Sequence, residues 1–184
     1  MTRTSKTPIV GIAGWKKSGK TTLITRLIEE FTRRGLKVAS VKHAHHAFQI
    51  DAADTDSARH RRAGAVQVAI VSANRWALVN ELRDEPEPSL AEVVGAMAAC
   101  DLILVEGYKS AAIPKIEARR RQTPQRQPLA DKDPAVIAIA ADYPTEGHGR
   151  PVFSLDDITG LADFIVAALD LAVKPAPSPA GGQP

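Results

Sequence analysis

Cysteine is nearly missing from this chain: Cys100 is the only one. That excludes an internal disulfide framework and a zinc site built from several thiolates. Aromatic side chains make up only 4% of the 184 residues, so the core must be aliphatic. No run of ~18 apolar residues occurs, so no segment reads as a transmembrane helix. A strong excess of one charge is also lacking. The net charge of +3 and isoelectric point near 9.1 suit an anionic ligand but do not argue for nucleic acid. Met1 to Pro8 is basic and polar, and a glycine loop follows where a signal peptide needs an apolar stretch. The expectation is a soluble, cytoplasmic protein without membrane contact. A domain of this size buries about 70% of the surface its unfolded chain exposes and needs no covalent staples.

What is present is a sequence of punctuated apolar runs. PIVGIA (8–13) is a short apolar run with the character of a buried strand. From Lys20 to Arg34 the residues Leu23, Ile24, Leu27, Ile28 and Phe31 recur at helical spacing, and Gly35 supplies a stop. LKVASV (36–41) predicts a second strand, which completes a parallel βαβ unit. The segment 42–64 is polar and rich in His, Asp and Arg. AVQVAIVS (65–72), a turn at Asn74, and WALVNEL (76–82) predict a β-hairpin. Ser89 with Glu92 three residues on predicts a capping box opening a helix to about Ala99. DLILV (101–105) and AVIAIAA (135–141) are apolar enough to lie inside a parallel sheet. Lys115 to Ala118 and Pro151 to Ser154 predict shorter strands, 119–134 an exposed basic loop, and 156–172 a closing helix. With GWKKSGKT (14–21), a match to the phosphate-loop pattern G-x-x-x-x-G-K-[ST], between the first strand and the first helix, the expected fold class is an α/β P-loop NTPase, with a mostly parallel sheet flanked by helices and a hairpin insertion near 65–82. Its expected organisation is a flexible leader (1–7), one domain (8–173) and a disordered Pro/Gly-rich tail (174–184).

The chemistry starts at GWKKSGKT (14–21), which fits G-x-x-x-x-G-K-[ST] between a strand and a helix, the context that pattern requires. Gly14 and Gly19 let the backbone turn so that its N–H groups face a phosphate. The N-terminus of the following helix adds its positive end. Lys20 brings a charge to the β/γ-phosphates, and the Thr21 hydroxyl can ligate Mg²⁺. Such a site needs a carboxylate at the end of another apolar strand. Glu106, at the end of DLILV, is the candidate for the metal, directly or through water. Asp142, at the end of AVIAIAA, is the candidate for the base.

His43, His45 and His46 follow the second strand, with Asp51, Asp54, Asp56 and His60 beyond. Three readings stay open: a divalent metal site, a loop that covers the nucleotide and meets an anionic substrate with Lys42, or a polar loop. Three-ligand coordination by 43, 45 and 46 requires a bent loop. Arg59, Arg61 and Arg62, and Arg119 to Arg121, are charge runs whose ordinary place is solvated surface. No stacking aromatics accompany them, which argues against nucleic acid. Trp15 can stack on a ligand or a partner, or shield the loop.

GWKKSGKTTL (14–23), VKHAHH (41–46) with Asp51, DSARHRRAGA (56–65), RWAL (75–78), DLILVEGYK (101–109) and IPKIE (113–117) together resemble the MobB family. These are GTP-binding adaptors of molybdopterin-guanine dinucleotide biosynthesis. The resemblance covers about 9–170. It implies GTP with Mg²⁺ as the nucleotide, weak turnover and a homodimer. It implies as partners the molybdopterin guanylyltransferase (MobA-type) and molybdopterin or its guanine dinucleotide. It places Gly14, Ser18, Gly19, Lys20, Thr21 and Thr22 in the phosphate loop, and Trp15 and Lys17 of the same turn are expected to contact the nucleotide with them. Lys42, His43, His45 and His46 form the loop facing it, Asp51 its acidic residue, and Glu106 with Gly107 the second nucleotide motif. Thr21, Asp51 and Glu106 are then the metal set, and Lys20 and Glu106 the catalytic pair. An Asn-Lys-x-Asp guanine signature is missing: Ala138 to Asp142 reads AIAAD, and Asp142 is the one obvious acceptor for the base. A small-molecule kinase or ligase, and a metallochaperone GTPase, are the alternative functions for the same loop.

Overall fold

The computed structural model describes residues 7–44, 48, 50, 52, 54–123 and 127–172. In chain order the elements are β1 (Ile9–Ala13), α1 (Lys20–Arg33), β2 (Val38–Lys42), α2 (Asp56–Arg62), β3 (Gln67–Val71), β4 (Trp76–Asn80), α3 (Leu90–Gly95), β5 (Leu102–Glu106), β6 (Lys115–Arg119), a 3-10 turn (Leu129–Asp131), β7 (Val136–Ala141), β8 (Val152–Ser154) and α4 (Ile158–Ala168). They fall into two compact units, one from 1–43 with 98–184, the other from 44–97. The leader expected over 1–7, apart from Thr7, and the tail expected over 174–184 lie outside the described residues.

The larger unit holds a six-stranded sheet in the order β2-β5-β1-β6-β7-β8, with every pair parallel. Parallel strands need crossovers and covered faces, which explains their apolar sequences. On one face Val10, Ile12, Leu104, Ile116, Ala118, Ala138 and Ala140 pack against Leu23, Leu27 and Phe31 of α1 and Leu161 and Ile165 of α4. Each leucine buried there stabilises the fold by about 2 kcal/mol. Helix α1 ends as its sequence predicts. Gly35 takes φ +81°, its N–H donates to Thr32 O, and the Leu36 N–H donates to Phe31 O, a paired glycine stop.

Strand β6 departs from expectation. It runs to Arg119, and all five residues of KIEAR are buried, including Lys115, Glu117 and Arg119. Alternation puts these three on the face opposite α1. Each has a partner there. Lys115 Nζ donates to Asp133 at 2.6 Å, and Arg119 Nη2 donates to Glu117 at 2.8 Å. Glu117 also accepts from the backbone N–H groups of Leu129 and Ala130 at 2.8 and 3.0 Å. The stretch 119–134, read as an exposed loop, therefore begins inside the sheet and returns over it, with Ala130 buried. Three charges in five residues look solvated because sequence does not show distant partners. The closing helix is also shorter than expected, from Ile158 to Ala168.

The smaller unit is built on the predicted hairpin. β3 and β4 are antiparallel, with Val71 opposite Trp76 and Ala69 opposite Leu78. Val68, on the other face, is buried, as is Ala58 of α2. Helix α3 carries the predicted capping box between Ser89 and Glu92, but stops at Gly95 rather than Ala99. Glycine is a poor helix former, and the chain leaves the helix directly after it. Among the described residues no helix is long and apolar enough to cross a membrane.

Candidate functional site

The turn after β1 brings Gly14 to Lys20 to the C-terminal edge of the sheet, where ligands bind in open α/β folds. Two glycines make the turn possible. A Cβ at Gly14 would stand 2.4 Å from Ser18 Oγ and 2.6 Å from the Ala118 carbonyl oxygen. A Cβ at Gly19 would stand 2.7 Å from Arg120 Nε, and Gly19 takes φ +89° at the start of α1. Lys17 also takes a positive φ, 68°. The Ser18 hydroxyl is buried with no hydrogen-bond partner among the described residues. An unpartnered buried hydroxyl in a cradle closed to a Cβ fits a ligand with acceptor oxygens.

Lys20 Nζ donates to the Trp15 carbonyl at 2.8 Å. Its pKa is lowered, first by burial and then by Lys109 and Lys42, while Glu106 opposes the shift. A cation so placed is ready to gain an anionic neighbour. The Thr21 hydroxyl donates to Glu106 Oε1 at 2.9 Å, across the junction of α1 and β5. Lys42 Nζ lies 3.7 Å from Glu106 Oε2. The parallel register that sets Lys42 beside Glu106, and Ile12 beside Glu106 on the other side, makes this meeting possible. No group of three or more His, Cys, Asp or Glu side chains is placed to hold a metal among the described residues. One hydroxyl and one carboxylate suit Mg²⁺, which keeps waters and takes phosphate oxygens as further ligands.

His43 also reaches this edge. Its N–H donates to the Glu106 carbonyl at 2.9 Å, and its ring centroid is 4.7 Å from that of Tyr108. Gly107, at φ +94°, leaves room for it, since a Cβ there would stand 3.0 Å from His43 Cβ. The two motifs predicted from separate stretches, Lys42-His43 and Glu106-Gly107, thus adjoin. His45, His46 and Asp51 lie outside the described residues. Thr22 is in the first turn of α1. Trp15 Nε1 donates to the Gln127 carbonyl at 3.1 Å, and Lys109 Nζ lies 4.1 Å from its ring centroid. Asp142 Oδ1 accepts from the Arg121 N–H at 2.7 Å.

Sequence reasoning did not select Glu117 or Arg120. Glu117 ties the chain beyond β6 to the sheet. Arg120 lies against Gly19, a contact between residues far apart in sequence. The alternation within KIEAR was a signal that one face of that strand carries only charges.

The parallel sheet, the strand-to-helix phosphate loop and the carboxylate at the end of β5 define an α/β fold of the P-loop NTPase class. A family model described as molybdopterin guanine dinucleotide synthesis protein B matches residues 9–142, and the chain belongs to that MobB family. A molybdopterin-guanine dinucleotide biosynthesis adapter protein of Haemophilus influenzae is 38% identical over 86% of this chain and 87% of its own length. The adapter protein of the same description from Escherichia coli K12 is 38% identical over 86% of this chain and 91% of its own. Among solved structures, a molybdopterin-guanine biosynthesis protein B crystal structure superposes with a TM-score of 0.68 at 28% identity, covering 88% of this chain and 99% of that one. The MobB homologue of Bacillus stearothermophilus gives 0.66 at 28% identity, covering 88% and 97%.

Proposed function

We propose that this protein is an adapter of molybdopterin-guanine dinucleotide synthesis that binds GTP with Mg²⁺ at the edge of its parallel sheet. The observation that carries the reading is the Thr21–Glu106 hydrogen bond of 2.9 Å, beside a glycine loop whose buried Ser18 hydroxyl has no partner among the described residues. In that reading the loop N–H groups and Lys20 bind the phosphates. Thr21 and Glu106 hold the metal, directly or through water, and Asp51 adds to that set. Bound Mg²⁺ supplies neutralising charge at the phosphates. In that reading hydrolysis is slow, because no residue stands out in the sequence as a glutamine that positions the attacking water. Lys42 and His43 present the facing wall, and His46, outside the described residues, is a further nucleotide contact in this reading.

The names of the relatives support a role beside the pathway's enzymes, and the partner proposed here is the guanylyltransferase, with molybdopterin or its guanine dinucleotide as cargo. The same reading puts the protein in the cytoplasm. It also makes the protein a homodimer, and the hairpin supports that. Val71 and Trp76, opposite one another, are 74% and 69% exposed, and Leu78 is 43% exposed on the same face. An aromatic and two aliphatics on one side of a two-stranded sheet form a contact surface, and a second copy of the same face is its proposed partner.

The test is calorimetry of GTP against ATP with Mg²⁺, with the guanylyltransferase offered in a separate binding assay. Micromolar GTP binding and nucleotide-dependent co-elution are expected. Binding of neither nucleotide would refute the site, and failure to co-elute under every nucleotide condition would refute the adapter role.

A further inference from the structure

If this chain prefers GTP, something must read the base, and the usual carboxylate signature is missing. A cavity of about 620 Å³ lies beside the phosphate loop and takes part of its lining from Trp15 and Ser18. Arg120 and Thr123, after β6, and Tyr143, after β7, line it as well. The segment after β6 is tied to the loop at both ends. Thr123 Oγ1 donates to the Lys17 carbonyl at 3.4 Å, and the Gln127 carbonyl accepts from Trp15 at 3.1 Å. The volume suits a purine, and the strand ends are the place for one.

The carboxylates in and near this cavity are committed elsewhere. Glu117 is the carboxylate among its lining residues, and it is 1% exposed. Its oxygens already receive Leu129 N–H, Ala130 N–H and Arg119 Nη2. Asp142 does not line the cavity, and its Oδ1 holds the Arg121 N–H. The donors differ. Arg119 is neutralised by Glu117 and donates to Thr145 at 3.0 Å. The Arg121 guanidinium lies 5.8 Å from the Tyr143 ring centroid. Arg120 is half-buried, packs on Gly19, and has no hydrogen bond or ion pair from its guanidinium among the described residues. It is a planar donor fork on the cavity wall beside Gly19.

We propose that this cavity holds the base, and that Arg120 selects guanine by donating to its O6 and N7. This rests on the GTP reading above and adds the specificity-determining residue. The chemistry follows from the two purines. Guanine offers adjacent O6 and N7 acceptors, whereas adenine sets an N6 amino donor beside N7 and repels the fork. One good bidentate contact discriminates by about 10- to 100-fold. Recognition by a carboxylate would instead use N1–H and the 2-amino group.

The two mechanisms part on base analogues. The experiment is calorimetry of the full chain with Mg²⁺ and GTP, ITP, 7-deaza-GTP or ATP. ITP lacks the 2-amino group but keeps O6 and N7, so it binds within about threefold of GTP. 7-Deaza-GTP lacks the N7 acceptor and binds at least about tenfold more weakly. ATP is weaker by about 10- to 100-fold. Arg120→Ala brings GTP and ATP to near-equal affinity, and Arg120→Lys recovers only part of the preference because it lacks the fork. ITP tenfold weaker than GTP, with 7-deaza-GTP unchanged, overturns the proposal in favour of a carboxylate. Equal binding of GTP and ATP by the wild type overturns it too and leaves a nucleotide site standing. Binding of none of the four removes the nucleotide reading itself. The analogue series uses the wild-type chain, so it stands even if a variant fails to fold.

Discussion

In the parallel sheet Val10, Ile12, Leu102 and Leu104 are 0% exposed, whereas on the hairpin Val71 and Trp76 are 74% and 69% exposed. Both regions are strands of similar residues. The parallel strands have helices over one face and the returning chain after β6 over the other, and even their charges are paired inside. The hairpin buries Val68 on one face and leaves the opposite face open. Rigid elements hold a binding site in place better than open ones, which supports the covered sheet as the home of the proposed phosphate site. An open apolar face costs solubility unless a partner covers it, which supports the hairpin as the proposed surface for association.

This contrast can be broken from either side. The largest effect is expected from Glu117→Leu, which leaves Arg119 buried without its counter-charge. Such a loss costs about 3–5 kcal/mol, read as a lowered denaturant midpoint. A loss under about 1 kcal/mol would mean the covered sheet does not depend on its internal pairs. Lys20→Ala is expected to weaken Mg-GTP binding by about 100-fold, with the fold and the association state unchanged. Unchanged affinity would remove the phosphate loop from the site.

Trp76→Ser with Leu78→Ser acts on the other region. Sedimentation should show self-association weakened by about 30-fold or more, with GTP affinity retained. A dimer of wild-type strength would place the interface elsewhere. Glu106→Gln should keep nucleotide affinity within about threefold and lower Mg²⁺-dependent turnover by about tenfold. Equal turnover would move the metal role to Asp51.

The smallest effect concerns the α1–α4 contact. Glu30 accepts hydrogen bonds from Arg33 and Arg34, and Arg34 also pairs with Asp163 at 2.6 Å. The Arg33 hydrogen bond, opposed by burial and aided by Arg34, holds the Glu30 carboxyl at about 2. An unfolded glutamate titrates near ~4.3. The contribution is therefore complete above that pH and is lost as pH falls toward 2. It amounts to under about 1 kcal/mol after screening by water. Unfolding of wild type and Glu30→Gln should differ at pH 6 and converge at pH 2. A constant difference would separate the effect from Glu30 ionisation.

Much of the site was legible because its signals are local. The glycine spacing in 14–21, the acid at the end of DLILV and the Ser89–Glu92 cap each lie within a few residues. The hairpin was legible from its alternation and the turn at Asn74. Arg119 was not, because its partner is Glu117 on the same face of a strand whose burial depends on β7 and the 129–131 turn. Arg120 was not, because nothing near it in sequence refers to Gly19.

By itself the sequence determined the βαβ start, the phosphate loop, the acid at Glu106 and the family to which the chain belongs. Turns, caps and periodicity are short-range rules, so a single chain states them openly. Only the tertiary structure decided that β5 and β6 flank β1, that Thr21 meets Glu106, and that three consecutive arginines have three different surroundings. Those facts depend on which distant strands bury one another, and burial is a property of the assembled sheet rather than of any stretch within it.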